Sequence, residues 1–146
     1  MSQTQFVFFN KAQLSSIAKL QESLNKNNFP LQLNSSCDFF KHQGFLPCEL
    51  KGDTGMGFEL FYESAELFLK ENPEDDIRQL VGNNDSLIGL SWGASFKDCA
   101  CVMMVCAAMA KDLDATISYE CDGDESIESM LAGIDFCYKQ IAEGQG

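Results

Sequence analysis

The segment from Ala100 to Ala110 is apolar at every position, and Lys111 is the first charge after it. Its composition and its opening at Ser95 predict a helix, and a helix without a polar face cannot lie on a protein surface. It has to be covered on all sides, by a sheet and by other helices. The flanks supply part of that cover. Leu87-Ile88-Gly89-Leu90-Ser91-Trp92 reads as a strand before the helix, and Thr116 to Glu120 as a strand after it. The stretch from Ser86 to Cys121 is therefore expected to be the β–α–β core of the fold.

The remaining elements follow from periodicity and punctuation. Phe6 to Phe9 is a β-prone run, and Asn10 with Gln13 has the spacing of a capping box. That box predicts a helix to about Asn27, with Leu14, Ile17, Ala18 and Leu24 on one face and Pro30 ending it. Leu31-Gln32-Leu33 resumes with period two. Phe45–Lys51 and Gly57–Glu63 read as a hairpin joined by Gly52-Asp53-Thr54-Gly55-Met56. In its second strand Phe58, Leu60 and Tyr62 share one face, while Glu59, Phe61 and Glu63 share the other, a carboxylate face calling for partial cover. Asn72-Pro73 followed by acids predicts the start of a helix with Ile77, Leu80 and Val81 inward. Ser95 with Asp98 caps the apolar helix. Ser126 opens a last one, with Ile127, Met130, Leu131, Ile134, Cys137, Tyr138 and Ile141 at helical spacing.

These elements predict an α/β layered domain spanning 1–146. It has a mixed sheet of about five or six strands, about four helices, one of them fully buried, and a frayed tail at 143–146. A chain of 146 residues is long enough to bury one such core.

Composition narrows the function classes. Ten Lys and Arg stand against 22 acids, a net charge of -12. That field repels nucleic acid and anionic lipid and attracts cationic partners. Met1 to Gln5 lacks the basic start of a secretory signal, and the longest apolar run is about half the roughly 20 residues of a membrane span. The seven cysteines mostly sit in apolar segments and read as reduced thiols, so a cytoplasmic location is expected.

Candidate chemistry is sparse. Cys37, His42 and Cys48 have irregular spacing and no fourth ligand, unlike a structural zinc site. Cys99, near a helix start, is the best placed reactive thiol, but its apolar flanks favour packing. His42 is the one histidine. The glycines at 52, 55 and 57 precede a strand and match no phosphate loop. Glu59 and Glu63 share a strand face as a glycosidase couple would, yet pairs arise by chance among so many acids. Asp122-Gly123-Asp124 departs from a calcium loop by its misplaced glycine. No cofactor motif is present.

Acids concentrate at Glu71 with Glu74, Asp75 and Asp76, and again at Asp122, Asp124, Glu125 and Glu128. Helix starts favour some of them but do not need so many. If the two clusters meet, they form one negative surface for Lys and Arg of a partner, with Tyr62, Trp92 or Tyr119 as aromatic anchors.

The order Leu90-Ser91-Trp92-Gly93-Ala94-Ser95-Phe96-Lys97-Asp98-Cys99-Ala100, then an Ala-rich helix and Ile117-Ser118-Tyr119-Glu120, resembles the small cytoplasmic immunity proteins of bacterial toxin delivery systems. The upstream strand Gly57-Phe58-Glu59-Leu60-Phe61-Tyr62 is similar to theirs as well. Members more often carry a glycine before the last strand, where this chain has Asp114-Ala115. The resemblance spans roughly Gly57 to Asp124. It implies a non-catalytic inhibitor that binds a cognate toxin domain in the producing cell, without cofactor, nucleic acid or membrane. Two other readings are a small cysteine enzyme using Cys99 or Cys37 with His42, and a regulatory module self-associating through the Gly57–Glu63 strand.

Overall fold

The computed structural model describes residues 3–34, 36 and 38–144. Six strands, β1 (Gln3–Phe9), β2 (Leu31–Leu33), β3 (Gly44–Leu50), β4 (Asp53–Ser64), β5 (Ser86–Trp92) and β6 (Thr116–Tyr119), form one sheet in the order β2-β3-β4-β5-β1-β6. Five α-helices accompany it: α1 (Ile17–Lys26), α2 (Ala65–Glu71), α3 (Asp75–Val81), α4 (Phe96–Leu113) and α5 (Ile127–Ala142). The expected α/β layered architecture is present.

The sheet, expected to be mixed, is antiparallel at every pairing. The reason is the placement of β1. It pairs antiparallel with β5 on one side and β6 on the other. The β5–α4–β6 crossover therefore joins two strands that run the same way but never touch.

Helix α4 lies across one face of this sheet. From Ala100 to Met109 only Met103 is not fully buried. Val7, Phe9, Leu60, Ile88, Leu90 and Ile117 meet it from the sheet, Leu20 and Leu24 from α1, and Met130, Ile134 and Cys137 from α5. Its start is capped as expected, with the Ser95 side chain accepting from the Asp98 amide. At its end Asp114 takes the left-handed conformation with φ 53°, the geometry a glycine adopts without strain.

The opposite face carries a smaller core. Phe8, Ala65, Phe68, Val81 and Leu87 are buried there, with Phe6, Phe61, Ile77, Leu80 and Cys121 packed around them. Helices α2 and α3 provide the cover that the carboxylate face of β4 called for. Gly89 belongs to this face because the Phe61 ring lies flat over it, where a Cβ would stand.

Several local expectations are corrected. Asn10 makes no side-chain cap and opens only a 3-10 turn, Lys11–Gln13; α1 begins at Ile17 under a Ser16 cap. Asn10 instead accepts the Asp85 amide, which ties the β1 end to the β5 start. The hairpin loop is two residues, Lys51 and Gly52, both at positive φ, as a type I′ turn demands. Helix α2 was not anticipated, and Asn72 closes it, donating from Nδ2 to Phe68 O; Glu74 stands at the N-cap of α3.

Part of each sheet edge is occupied. Gln21 of α1 donates to Leu31 O and accepts from Leu33 N, each at 2.8 Å, so it occupies the outer backbone of β2 as a strand would. At the other edge the segment after β6 folds back, with Glu125 N donating to Ile117 O at 2.8 Å. Strand β4 pairs with β3 between Asp53 and Leu60 and with β5 from Glu59 to Ser64, so within Gly57–Glu63 only Glu59 and Leu60 have a strand on both sides.

Two stability tests follow from this packing. Gly89→Ala should cost about 1–3 kcal/mol through collision with Phe61, although alanine is ordinarily the better strand residue. In a Phe61→Ala background that penalty should vanish, read from urea midpoints in a double-mutant cycle. Asp112, at the end of α4, accepts from Ser23 at 2.6 Å and from Asn27 at 2.9 Å in α1 and its cap. Burial works to raise its pKa, but those bonds and Lys26 outweigh it and hold the carboxyl below its usual value. Its contribution is thus complete above the ordinary Asp pKa of about 3.9 and lost as pH falls through the lowered folded value. Asp112→Ala should cost about 1–3 kcal/mol at neutral pH, and the gap to the parent protein should close in acid.

Candidate acidic docking site

The two acidic clusters meet through α3 and the segment after β6. Glu120 and Cys121 are both left-handed, with φ 54° and 61°. This reverses the chain, with Asp122 N donating to Tyr119 O. The Ser118 hydroxyl, donating to Gly123 O, holds the returning strand of the turn. Neither Glu120 nor Cys121 is a turn-forming residue; the turn signal in the sequence is the adjacent Asp122-Gly123-Asp124-Glu125, where Gly123 also has positive φ. The result of the reversal is that Asp122 and Asp124 face the first turn of α3. Asp76, Asp122 and Asp124 line one cavity of about 440 Å³ together with Gln79, Leu80, Thr116, Cys121 and Gly123.

All three aspartates are exposed. Ion pairs among the described residues join Lys26–Asp112, Lys70–Glu66, Arg78–Asp75 and Lys97–Asp53, so none neutralises this trio. Cys121 forms part of the wall, and its thiol is pushed up to about 11 by burial, by Glu120 and by Asp76. Burial is the largest cause of that shift, and Asp76 is the one contributor that lines the cavity. Leu80 and the partly buried Cys121 give it an apolar side.

The other expected residues lie elsewhere or serve the fold. Asp75 pairs with Arg78 at 3.7 Å on the exposed side of α3. Glu74 is the N-cap residue there. Glu71 ends α2; the Glu63 carboxyl is raised by burial and then by the charge of Glu71, which places Glu71 beside β4. Glu125 turns inward, accepting from Gln5 Nε2 at 2.6 Å; Gln5 is fully buried. Glu128 lines a different cavity with Lys111, Asn27 and Leu131.

The aromatics are also redistributed. Trp92 is only 5% exposed and packs on Tyr119, ring centroids 6.4 Å apart, so it is a core residue and not an exposed anchor. Tyr62 is half-buried against Phe40 and donates or accepts with the Ser86 hydroxyl at 2.8 Å. Tyr119 is exposed and adjoins the turn that carries Asp122. The most exposed large apolar residues, Phe45 and Phe136, lie outside the expected set. Phe45 lies on the face of β3 with Pro47 and Glu49, opposite the buried Leu46, Cys48 and Leu50.

No protein-family model matches this chain, and comparison with curated proteins and with solved structures returns no match. The residues therefore carry the functional reading by themselves.

The places suggested for catalysis are otherwise engaged. His42 Nε2 lies 3.1 Å from both Gly44 O and Phe45 O, acceptors to which it can only donate. Cys99 shares a hydrogen bond with Cys137. Cys37 lies outside the described residues, so the set it would form with His42 and Cys48 is not placed. Among the described residues no group of three or more His, Cys, Asp or Glu side chains is arranged to hold a metal ion. No helix among them is long and apolar enough to cross a membrane.

Since Asp76 raises the Cys121 pKa, Asp76→Asn should lower it and speed alkylation of that thiol at pH 8 to 9 (order-of-magnitude window). Iodoacetamide labelling followed by mass spectrometry at Cys121 checks this across pH.

Proposed function

We propose that the protein is a non-catalytic immunity protein: it binds a cognate, basic bacterial toxin domain in the cytoplasm of the producing cell and neutralises it. The observation that carries this reading is the convergence of Asp76, Asp122 and Asp124 on one cavity without a counter-ion among the described residues. Like charges brought together without compensation weaken a fold, and a cationic partner relieves them. A Lys or Arg side chain suits the cavity: its head meets the aspartates while its stem lies along Leu80 and Cys121. The net charge of -12 adds long-range steering of a basic domain, which raises the association rate.

Two further features support the reading. The segment resembling immunity proteins, Leu90 to Ala100, forms the end of β5 and the capped start of α4. Before the last strand, where members more often carry glycine, this chain departs from the resemblance with Asp114-Ala115, Asp114 being left-handed. The engaged state of His42 and Cys99 leaves no nucleophile–base couple between them.

The test is binding of this chain to the toxin domain encoded beside its gene. Asp76→Lys, Asp122→Lys and Asp124→Lys combined should weaken affinity by about a hundredfold or more, which is about 2.7 kcal/mol. Slower association and a flatter salt dependence should account for most of the loss. Reversal of Glu66, paired to Lys70 on α2, should leave binding unchanged. A triple variant that is folded by circular dichroism, and still binds and protects cells as the parent does, would refute this docking face.

A further inference from the structure

The interface between α4 and α5 holds two thiols that the docking function does not use. The Phe96 and Phe136 rings meet at 5.8 Å between centroids, while the Met103 side chain lies where a side chain on Gly133 would touch it. Later residues of α4 therefore meet earlier residues of α5, and the helices are antiparallel. Cys99 lies between Phe96 and Met103 on one stripe of α4, each about one turn from the next. Cys137 adjoins Phe136 and lies one turn beyond Gly133. These two contacts bracket the cysteines and set Cys99 opposite Cys137 in the seam, close enough for each thiol to shift the other's pKa.

We propose that Cys99 and Cys137 are a reversible dithiol–disulfide pair, oxidised by a hydroperoxide, that covalently staples α4 to α5. This rests on the helix interface alone and is independent of the docking face. A second thiol pair, Cys48 with Cys101, joins β3 to α4, but both of its members are buried in the main core. In the Cys99–Cys137 pair Cys137 is buried too, but Cys99 is half-buried, so a small peroxide reaches the pair from the Cys99 side.

The pair is also polarised. The hydrogen bond donated by Cys99 lowers the Cys137 pKa despite burial, while Cys99 is raised by that same bond, by burial and by neighbouring negative charge. A thiolate at Cys137 with a protonated partner at Cys99 divides the roles of attacking and resolving thiol. The Cys137 thiolate attacks one oxygen of the peroxide; the O–O bond breaks to give a sulfenic acid and hydroxide, which takes from solvent the proton that Cys137 had released and becomes one water. Cys99 sulfur then attacks the sulfenyl sulfur; the S–O bond breaks, the hydroxide takes the Cys99 proton and leaves as a second water, and the S–S bond forms. Two thiols lose two electrons and two protons, and hydrogen peroxide becomes two waters.

The experiment treats the full chain with hydrogen peroxide, quenches it, and maps peptides by mass spectrometry without reduction. One crosslink joining the Cys99 and Cys137 peptides is expected, with loss of two titratable thiols, a higher thermal midpoint, and reversal by dithiothreitol. Cys99→Ser should leave Cys137 as a sulfenic acid that dimedone traps, and Cys48→Ser should leave the crosslink intact. The proposal is overturned if both cysteines stay open to alkylation after peroxide, or if the crosslink joins any other pair. The map of the unsubstituted protein decides the matter even where a serine variant fails to fold.

Discussion

Everything in this fold answers to the need to hide α4. A helix apolar on all sides gains stability only where every side meets other apolar surface. One side meets the sheet, and α1 and α5 close the rest. Polar groups are admitted only at its ends, and each is used as a tie. Near the start, Asp98 accepts the Gly57 amide at 3.0 Å, holding β4. Near the finish, Asp112 holds Ser23 and Asn27. The rod is thus fixed lengthwise by two carboxylates and laterally by packing.

That arrangement also decides what the protein can present outward. The edge of β2 is taken by the Gln21 amide and that of β6 by the returning segment before α5. Strand addition is hindered where these groups already hold the edge backbone. The docking proposed above uses side chains on helices and turns instead. Helices α2 and α3, which cover only the smaller core, are free to display them.

Sequence periodicity made the central unit legible because α4 has a composition no surface element tolerates. The Ser95 and Ser126 caps were legible as well, because their hydrogen bonds are local. What stayed hidden depends on distant residues. Nothing within Gln3–Phe9 says that it inserts between β5 and β6, and that insertion is what makes the sheet antiparallel. Asn10 has the composition of a helix cap, but its side chain goes to Asp85. Trp92 ends a strand as an exposed aromatic might, yet the edge strand β6 brings Tyr119 over it. The acidic clusters were visible as composition, and Asp122-Gly123-Asp124-Glu125 as a turn; which members converge was set by the left-handed Glu120 and Cys121 before it, residues that do not favour that conformation.

The acids differ in why they are present, and this separates Asp122 and Asp124 from the rest. Asp75 and Asp76 occupy the first turn of α3 and Glu128 that of α5, where the helix dipole favours negative charge. Glu125 satisfies a buried amide. Asp122 and Asp124 lie before the Ser126 cap, outside the first turn of α5, and neither joins an ion pair among the described residues. They sit across a cavity from Asp76, a like charge, on a turn whose left-handed Glu120 and Cys121 already carry backbone strain. A positive group placed between the three carboxylates, as the proposed docking requires, would offset that repulsion while leaving the backbone of the turn unchanged.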